Sequence, residues 1–308
     1  MDHRLHMPGL ALAAMLATAI AGCGKSPATS QTATNADCMQ AGTPEAAVTL
    51  VIDALRNDAL ETIPCRAVPP AMQDKLELAW REDRSRWPLA ELPLSSKLPA
   101  VLAALNGPAA ETRLRLAFDH QFAGQTTELQ SAARGLGLFA VRYIQKESSY
   151  QPDQRAHYAN LIVALSDWSS HAPLGDRTLG HQSVSLLVAG ANASSIHDDA
   201  GLRAAGMRGS LRGLTPLYHN AKQALALYGL SLDDVLSSVQ VSPKDRSSDH
   251  ARVHVHYLVH GEPVDSDIAV ERRDGHWYLS GMLADAEQAL ASPLPQAEPP
   301  AVAQDVNK

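Results

Sequence analysis

Residues 252–260 read Arg252-Val-His-Val-His-Tyr-Leu-Val-His260, and their strict alternation decides the fold class. Val253, Val255, Tyr257 and Val259 fall on one side; Arg252, His254, His256 and His260 fall on the other. That period of two belongs to a half-buried strand. Gly261-Glu262 follows and suits a two-residue type II′ turn with glycine first. This turn sets His256 opposite Asp267 and Arg252 opposite Glu271, and brings Val264, Ile268 and Val270 onto the apolar side. Asp274-Gly275 suits a type I′ turn, which sets Val270 opposite Leu279 and Arg272 opposite Trp277. Both registers keep one face apolar, which is how strand pairing is specified. With Val239–Val241 as a candidate fourth strand, residues 238–291 are predicted to form an antiparallel meander of three to four strands.

Upstream the apolar period is 3.6. Thr43 is a natural N-cap, Pro44 suits the first helical position, and Glu45 complements the helix dipole. Val48, Ile52, Leu55 and Ala59 then recur at helical spacing. Further helices are predicted over 69–85, 97–106, 109–123, 128–147, 153–168 and 178–192, with shorter ones near 214–229 and 231–238. In 128–147 the apolar stripe is read as Leu136, Ala140 and Tyr143. Such helices are expected to bury their stripes against one another. The expected architecture is α+β: a predominantly helical region, 44–237, followed by the meander.

At the N-terminus a short apolar run, Leu10 to Ile20, follows Arg4 and His6 and ends Ala17-Thr-Ala-Ile-Ala-Gly-Cys23. A membrane span needs ~20 apolar residues, so this is a secretory h-region and 1–22 a signal peptide. Residues 24–42 are small and polar and read as a flexible tether. Counted from Cys23 to the cap residue Thr43, the linking segment is 23–43, no more than ~60 Å long when extended. Ser292 to Lys308 carries Pro293, Pro295, Pro299 and Pro300 and is predicted to be a disordered, Pro-rich tail.

The ending Ile20-Ala-Gly-Cys23 resembles the lipobox of bacterial lipoproteins. The resemblance implies that Cys23 becomes the mature N-terminus, carries diacylglycerol and an N-acyl chain such as palmitate, and holds the protein on the lipid bilayer. Gly24 follows, where an Asp would resemble an inner-membrane retention signal, so the resemblance implies the periplasmic face of the outer membrane. In that oxidising compartment Cys38 and Cys65 are expected to form a disulfide worth ~3–4 kcal/mol, the alternative being two free thiols. The first helix together with the Asp274-Gly-His-Trp-Tyr-Leu279 strand is similar to the ends of the cystatin-like or NTF2-like fold of small bacterial lipoproteins. That similarity implies a curved sheet cupping a helix.

Removing residues 1–22 removes Asp2 and Arg4 together and keeps the formal charge of −7, which argues against a nucleic-acid partner. Aromatic residues make up 5% of the chain, too few for a sugar-stacking groove. The sharpest candidate for chemistry is His254-Val-His256, two histidines on one side of a strand; with Asp267 they would form a three-ligand metal site. The competing reading is a solvated cross-strand charge pair. Gly135-Leu-Gly137-Leu-Phe-Ala140 matches the outline of a dinucleotide turn but lacks a preceding strand, so close helix packing explains it better. Ser166-Asp-Trp-Ser-Ser-His171 has the residue types of a triad, yet reads as a helix end before Pro173. No cofactor motif stands out. The function expected is a non-enzymatic, anchored protein that binds an envelope protein or a small ligand. The alternatives are an immunity or inhibitor lipoprotein against a periplasmic toxin or cell-wall hydrolase, and a metal-dependent enzyme using His254, His256 and Asp267.

Overall fold

A helical region closes onto one face of a four-stranded antiparallel sheet in a computed structural model that describes residues 38–92, 95–146 and 152–291. The signal peptide, Cys23, most of the tether and the Pro-rich tail lie outside the described residues.

Helix α1 (Pro44–Arg56) starts as its cap predicts, with the Ala46 N–H donating to Thr43 Oγ1 at 3.2 Å and Pro44 in the first turn. Its buried stripe of Val48, Val51, Ile52 and Leu55 rests on the sheet. After a short 3₁₀ turn (Leu60–Thr62) come α2 (Ile63–Ala67) and α3 (Pro70–Arg81). The next helices are α4 (Leu98–Asn106), α5 (Ala110–Gln121), α6 (Thr126–Lys146), α7 (Pro152–His171) and α8 (Arg177–Ala193). Helices α9 (Asp199–Leu227) and α10 (Leu232–Ser237) lead into the sheet.

Helix α9 is longer than the 214–229 expected: it begins at Asp199 and runs through Pro216. It is two helical lengths joined at Gly206, whose φ of 75° a side chain would strain. Glu77 of α3 closes the break: its Oε2 accepts from the Met207 N–H at 2.9 Å and the Arg208 N–H at 3.3 Å. A carboxylate there satisfies orphan donors at a helix start.

The strands are β1 (Gln240–Arg246), β2 (His250–Val259), β3 (Glu262–Arg273) and β4 (His276–Leu279), in the spatial order β1-β2-β3-β4. The second hairpin has the expected register, Val270 opposite Leu279 and Arg272 opposite Trp277. The first is two residues off. His260 and Gly261 both take positive φ, 51° and 88°, so they form the turn as a type I′ pair in place of Gly261-Glu262. His254 therefore faces Asp267, and His256 faces Asp265. A shift of two preserves the faces: Val253, Val255, Tyr257, Val259, Val264 and Val270 are all buried.

The meander ends at Leu279, not at 291, and Ser280–Ala291 is a final helix, α11. Its residues Met282-Leu-Ala-Asp-Ala-Glu-Gln-Ala-Leu-Ala291 are good helix formers, and Met282, Leu283 and Ala286 are buried. The linking segment is held from Cys38 onward. Cys38 and Cys65 sit at disulfide geometry with Cα atoms 5.6 Å apart, and Ala41 is bridged to the last strand by the Trp277 N–H at 2.9 Å. Trp80, Trp87 and Trp277 are wholly buried in the core.

Candidate functional site

The outer face of the sheet carries a ladder of charges. His254 Nδ1 lies 3.1 Å from Asp267 Oδ1 and its Nε2 3.2 Å from Asp265 Oδ1, while His256 Nδ1 lies 2.9 Å from Asp265 Oδ1. Lys244, the residue inserted at a bulge in β1, reaches across β2 to pair with Asp267, and Arg252 stands 3.7 Å from the same carboxylate. The hydrogen bond to His256 leads the effects that hold the Asp265 carboxyl below the usual range. Partial burial pushes Asp267 upward, but Lys244, His254 and Arg252 outweigh it and the net shift is downward.

This arrangement corrects the expected metal site. His254, His256 and Asp267 do come onto one face, but each histidine is engaged with a carboxylate and Asp267 is occupied by cations. Among the described residues no group of three or more His, Cys, Asp or Glu side chains is placed to hold a metal ion. The solvated charge pair is the reading that fits these residues.

The remaining sequence candidates resolve similarly. Gly135 to Ala140 lies inside α6, with no strand before it. A Cβ on Gly137 would come within 1.9 Å of Ser166 Oγ on α7, so this glycine is needed for the α6–α7 crossing; Gly135 faces open space. His171 is the last residue of α7, and its Nδ1 lies 2.9 Å from its own helix's Asp167 carbonyl, which is the helix-end reading.

A shallow cleft of about 420 Å³ opens where the β1–β2 turn meets the start of α11. Arg246, Ser247, His250, Arg252 and Ser280 line it, and the Arg246 guanidinium is held 5.2 Å above the Trp277 ring. Lys222 and Asp285 are buried elsewhere in the fold. Lys222 on α9 is 4% exposed; its Nζ contacts Asp58 Oδ1 (2.8 Å) and Asp233 Oδ1 (2.6 Å), tying α9 to the end of α1 and to α10. Asp285 on α11 is 3% exposed, and its Oδ2 has no hydrogen-bond partner. Burial first, then the nearby Glu91 carboxylate, pushes the Asp285 carboxyl up to about 8. Burial alone pushes Glu91 up to about 7.

The most unusual surface is on α6. The side it turns to α7 carries Leu129, Ala133, Gly137, Ala140 and Ile144, which are partly or fully covered. The exposed side carries Leu136 and Phe139, each 68% exposed, with Tyr143 about half exposed; Leu138 lies exposed farther round. Phe139 and Tyr143 stack with ring centroids 6.4 Å apart. At 100° per residue, Ala132, Leu136, Phe139 and Tyr143 lie within about 60° of arc, a ridge of ~16 Å. Arg142 and Lys146 border it and Arg134 is exposed farther round. The sequence reading buries the stripe Leu136–Ala140–Tyr143; in the structure Ala140 alone of the three is turned toward α7. The signal in the sequence is an excess: Leu136, Leu138, Phe139, Val141 and Ile144 are too many apolar residues for one helix face.

No family model, curated protein or solved structure matches the chain. No described helix is long and apolar enough to cross a membrane.

Proposed function

We propose that this chain is a lipid-anchored envelope protein that works by binding, with the outward face of α6 as its contact surface. The observation that carries the reading is the exposed Leu136–Phe139–Tyr143 ridge. Contiguous exposed apolar patches of this kind mark interaction sites in water-soluble bodies, since leaving them in water costs free energy. The lipobox-like ending at Cys23 supports the anchor and, through Gly24, the periplasmic face of the outer membrane. The disulfide-distance pair of Cys38 and Cys65 suits an oxidising envelope. Binding is favoured over metal-dependent catalysis because the His254–His256–Asp267 group is spent on ion pairs.

Cys23→Ser tests the anchor. The parent should incorporate labelled palmitate and partition with membranes; the variant should lose the label. A variant that labels like the parent would refute acylation at Cys23.

A further inference from the structure

We infer that the outward face of α6 seats on an anionic lipid bilayer. The inference rests on the reading of that face as the protein's contact surface and names what it contacts. Three features of α6 point to lipid.

The first is shape. The ridge stands on the outward side of a single helix that packs chiefly on α7. Interfacial helices lie in the membrane plane with aromatic and leucine side chains sunk among the headgroups. Leu136, Phe139 and Tyr143 are so arranged.

The second is charge. The whole chain carries −7, yet α6 holds Arg134, Arg142 and Lys146 against the single acid Glu128. Among the described residues none of those three cations has an ion-pair partner. Arg142 and Lys146 flank the apolar ridge, where they can meet lipid phosphates while the rings descend.

The third is reach. Cys38 is fixed to the body, and the fourteen residues 24–37 separate it from Cys23 in the sequence. A chain of that length extends to no more than ~50 Å, comparable with the dimensions of a domain this size. An acylated Cys23 therefore leaves the body free to turn α6 toward the same bilayer. Two contacts on one surface reinforce each other through effective concentration, so each alone can be weak.

The test uses the full chain carrying Cys23→Ser, so that acylation cannot supply the affinity. It is sedimented with vesicles of phosphatidylglycerol and phosphatidylethanolamine, and in parallel with phosphatidylcholine alone. Binding should favour the anionic vesicles and weaken with salt. Phe139→Asp in the same background should reduce binding by about tenfold or more. Arg142→Ala should reduce it by about fivefold, the effect of one charge near an anionic surface. Both side chains are exposed, so unchanged melting curves would confirm that the variants fold. Equal binding to both vesicle types, or Phe139→Asp binding as well as its parent, would overturn the inference.

A photo-crosslinking residue at position 139 in intact cells separates failure of the lipid assignment from failure of the contact surface. Lipid adducts agree with the inference. Protein adducts without lipid, or a concentration-dependent dimer lost in Phe139→Asp, would overturn the bilayer and leave the contact surface standing. No adduct of any kind would overturn both.

Discussion

Replacing Asp285 by Asn should flatten the dependence of stability on pH. In the folded protein the Asp285 carboxyl titrates near pH 8, whereas an unfolded chain would bind that proton only below about pH 4. Between those values the folded state holds more protons, so the stability this group contributes is fully present below pH 4 and is lost as pH rises toward 8. The limiting slope for one such group is ~1.4 kcal/mol per pH unit. With the side chain 3% exposed, most of that should be realised; allowing for relaxation and water penetration, the Asp285 contribution to wild-type stability should fall by ~2 kcal/mol between pH 5 and 7. That is a fall in melting temperature of about 4–8 °C for a body of this size. Asn keeps the shape and cannot ionise, so the variant should lack this contribution and exceed wild type at pH 8 while lying closer to it at pH 5. Glu91, raised to about 7, adds a dependence of the same sign over a narrower pH range in both proteins, so the comparison between them isolates Asp285. The buried Trp80, Trp87 and Trp277 supply the fluorescence signal for urea titrations at each pH. Parallel stability profiles for wild type and variant from pH 5 to 8 would refute the assignment of a neutral Asp285.

The disulfide and the α6–α7 crossing make separate predictions. Cys38 and Cys65 close a loop with a sequence separation of 27, for which the chain-entropy relation gives ~3.5 kcal/mol, so reduction should lower the melting temperature by about 10 °C. Thiol titration of the unfolded, unreduced protein checks it, since two reactive thiols from Cys38 and Cys65 would show that no bond forms. Gly137→Ala should destabilise by ~1–3 kcal/mol, because the added carbon would meet Ser166 and push α6 from α7. Gly135→Ala, two residues away in open space, should stabilise by about 0.5–1 kcal/mol through helix propensity alone. Equal effects in denaturant titrations would refute the asymmetry.

Local rules carry most of the architecture. The N-cap Thr43, the alternation in Arg252–His260 and the Asp274-Gly275 turn each specify geometry through groups only a few residues apart, and each is realised. The differences arise where two local solutions compete. His260-Gly261 and Gly261-Glu262 both make two-residue turns that keep Val253–Val259 facing inward, so the apolar pattern does not choose between registers two residues apart. His260 entering the left-handed region decides it, with its Nδ1 lying 3.0 Å from the Gly229 carbonyl, a contact 31 residues away in the chain. The helix expected near 214–229 is only the later part of α9, which begins at Asp199 and continues through the break at Gly206.

The contact surface is harder to see because helical periodicity reports an apolar face without saying what covers it. Leu136 and Tyr143 satisfy the period of a buried stripe as well as Ala133 and Ile144 do. Coverage depends on where α7 lies, and α7 packs on β3 as well as on α6. Gly137, whose missing side chain lets Ser166 approach, permits the crossing that leaves the aromatic face outward. The same step explains why the basic residues matter. With Gly137 directed at α7, Arg142 and Lys146 fall beside the exposed rings and not beside the helix contact. A glycine placed for packing and cations placed for solvent therefore produce one outward surface that is apolar at its centre and positive at its edge.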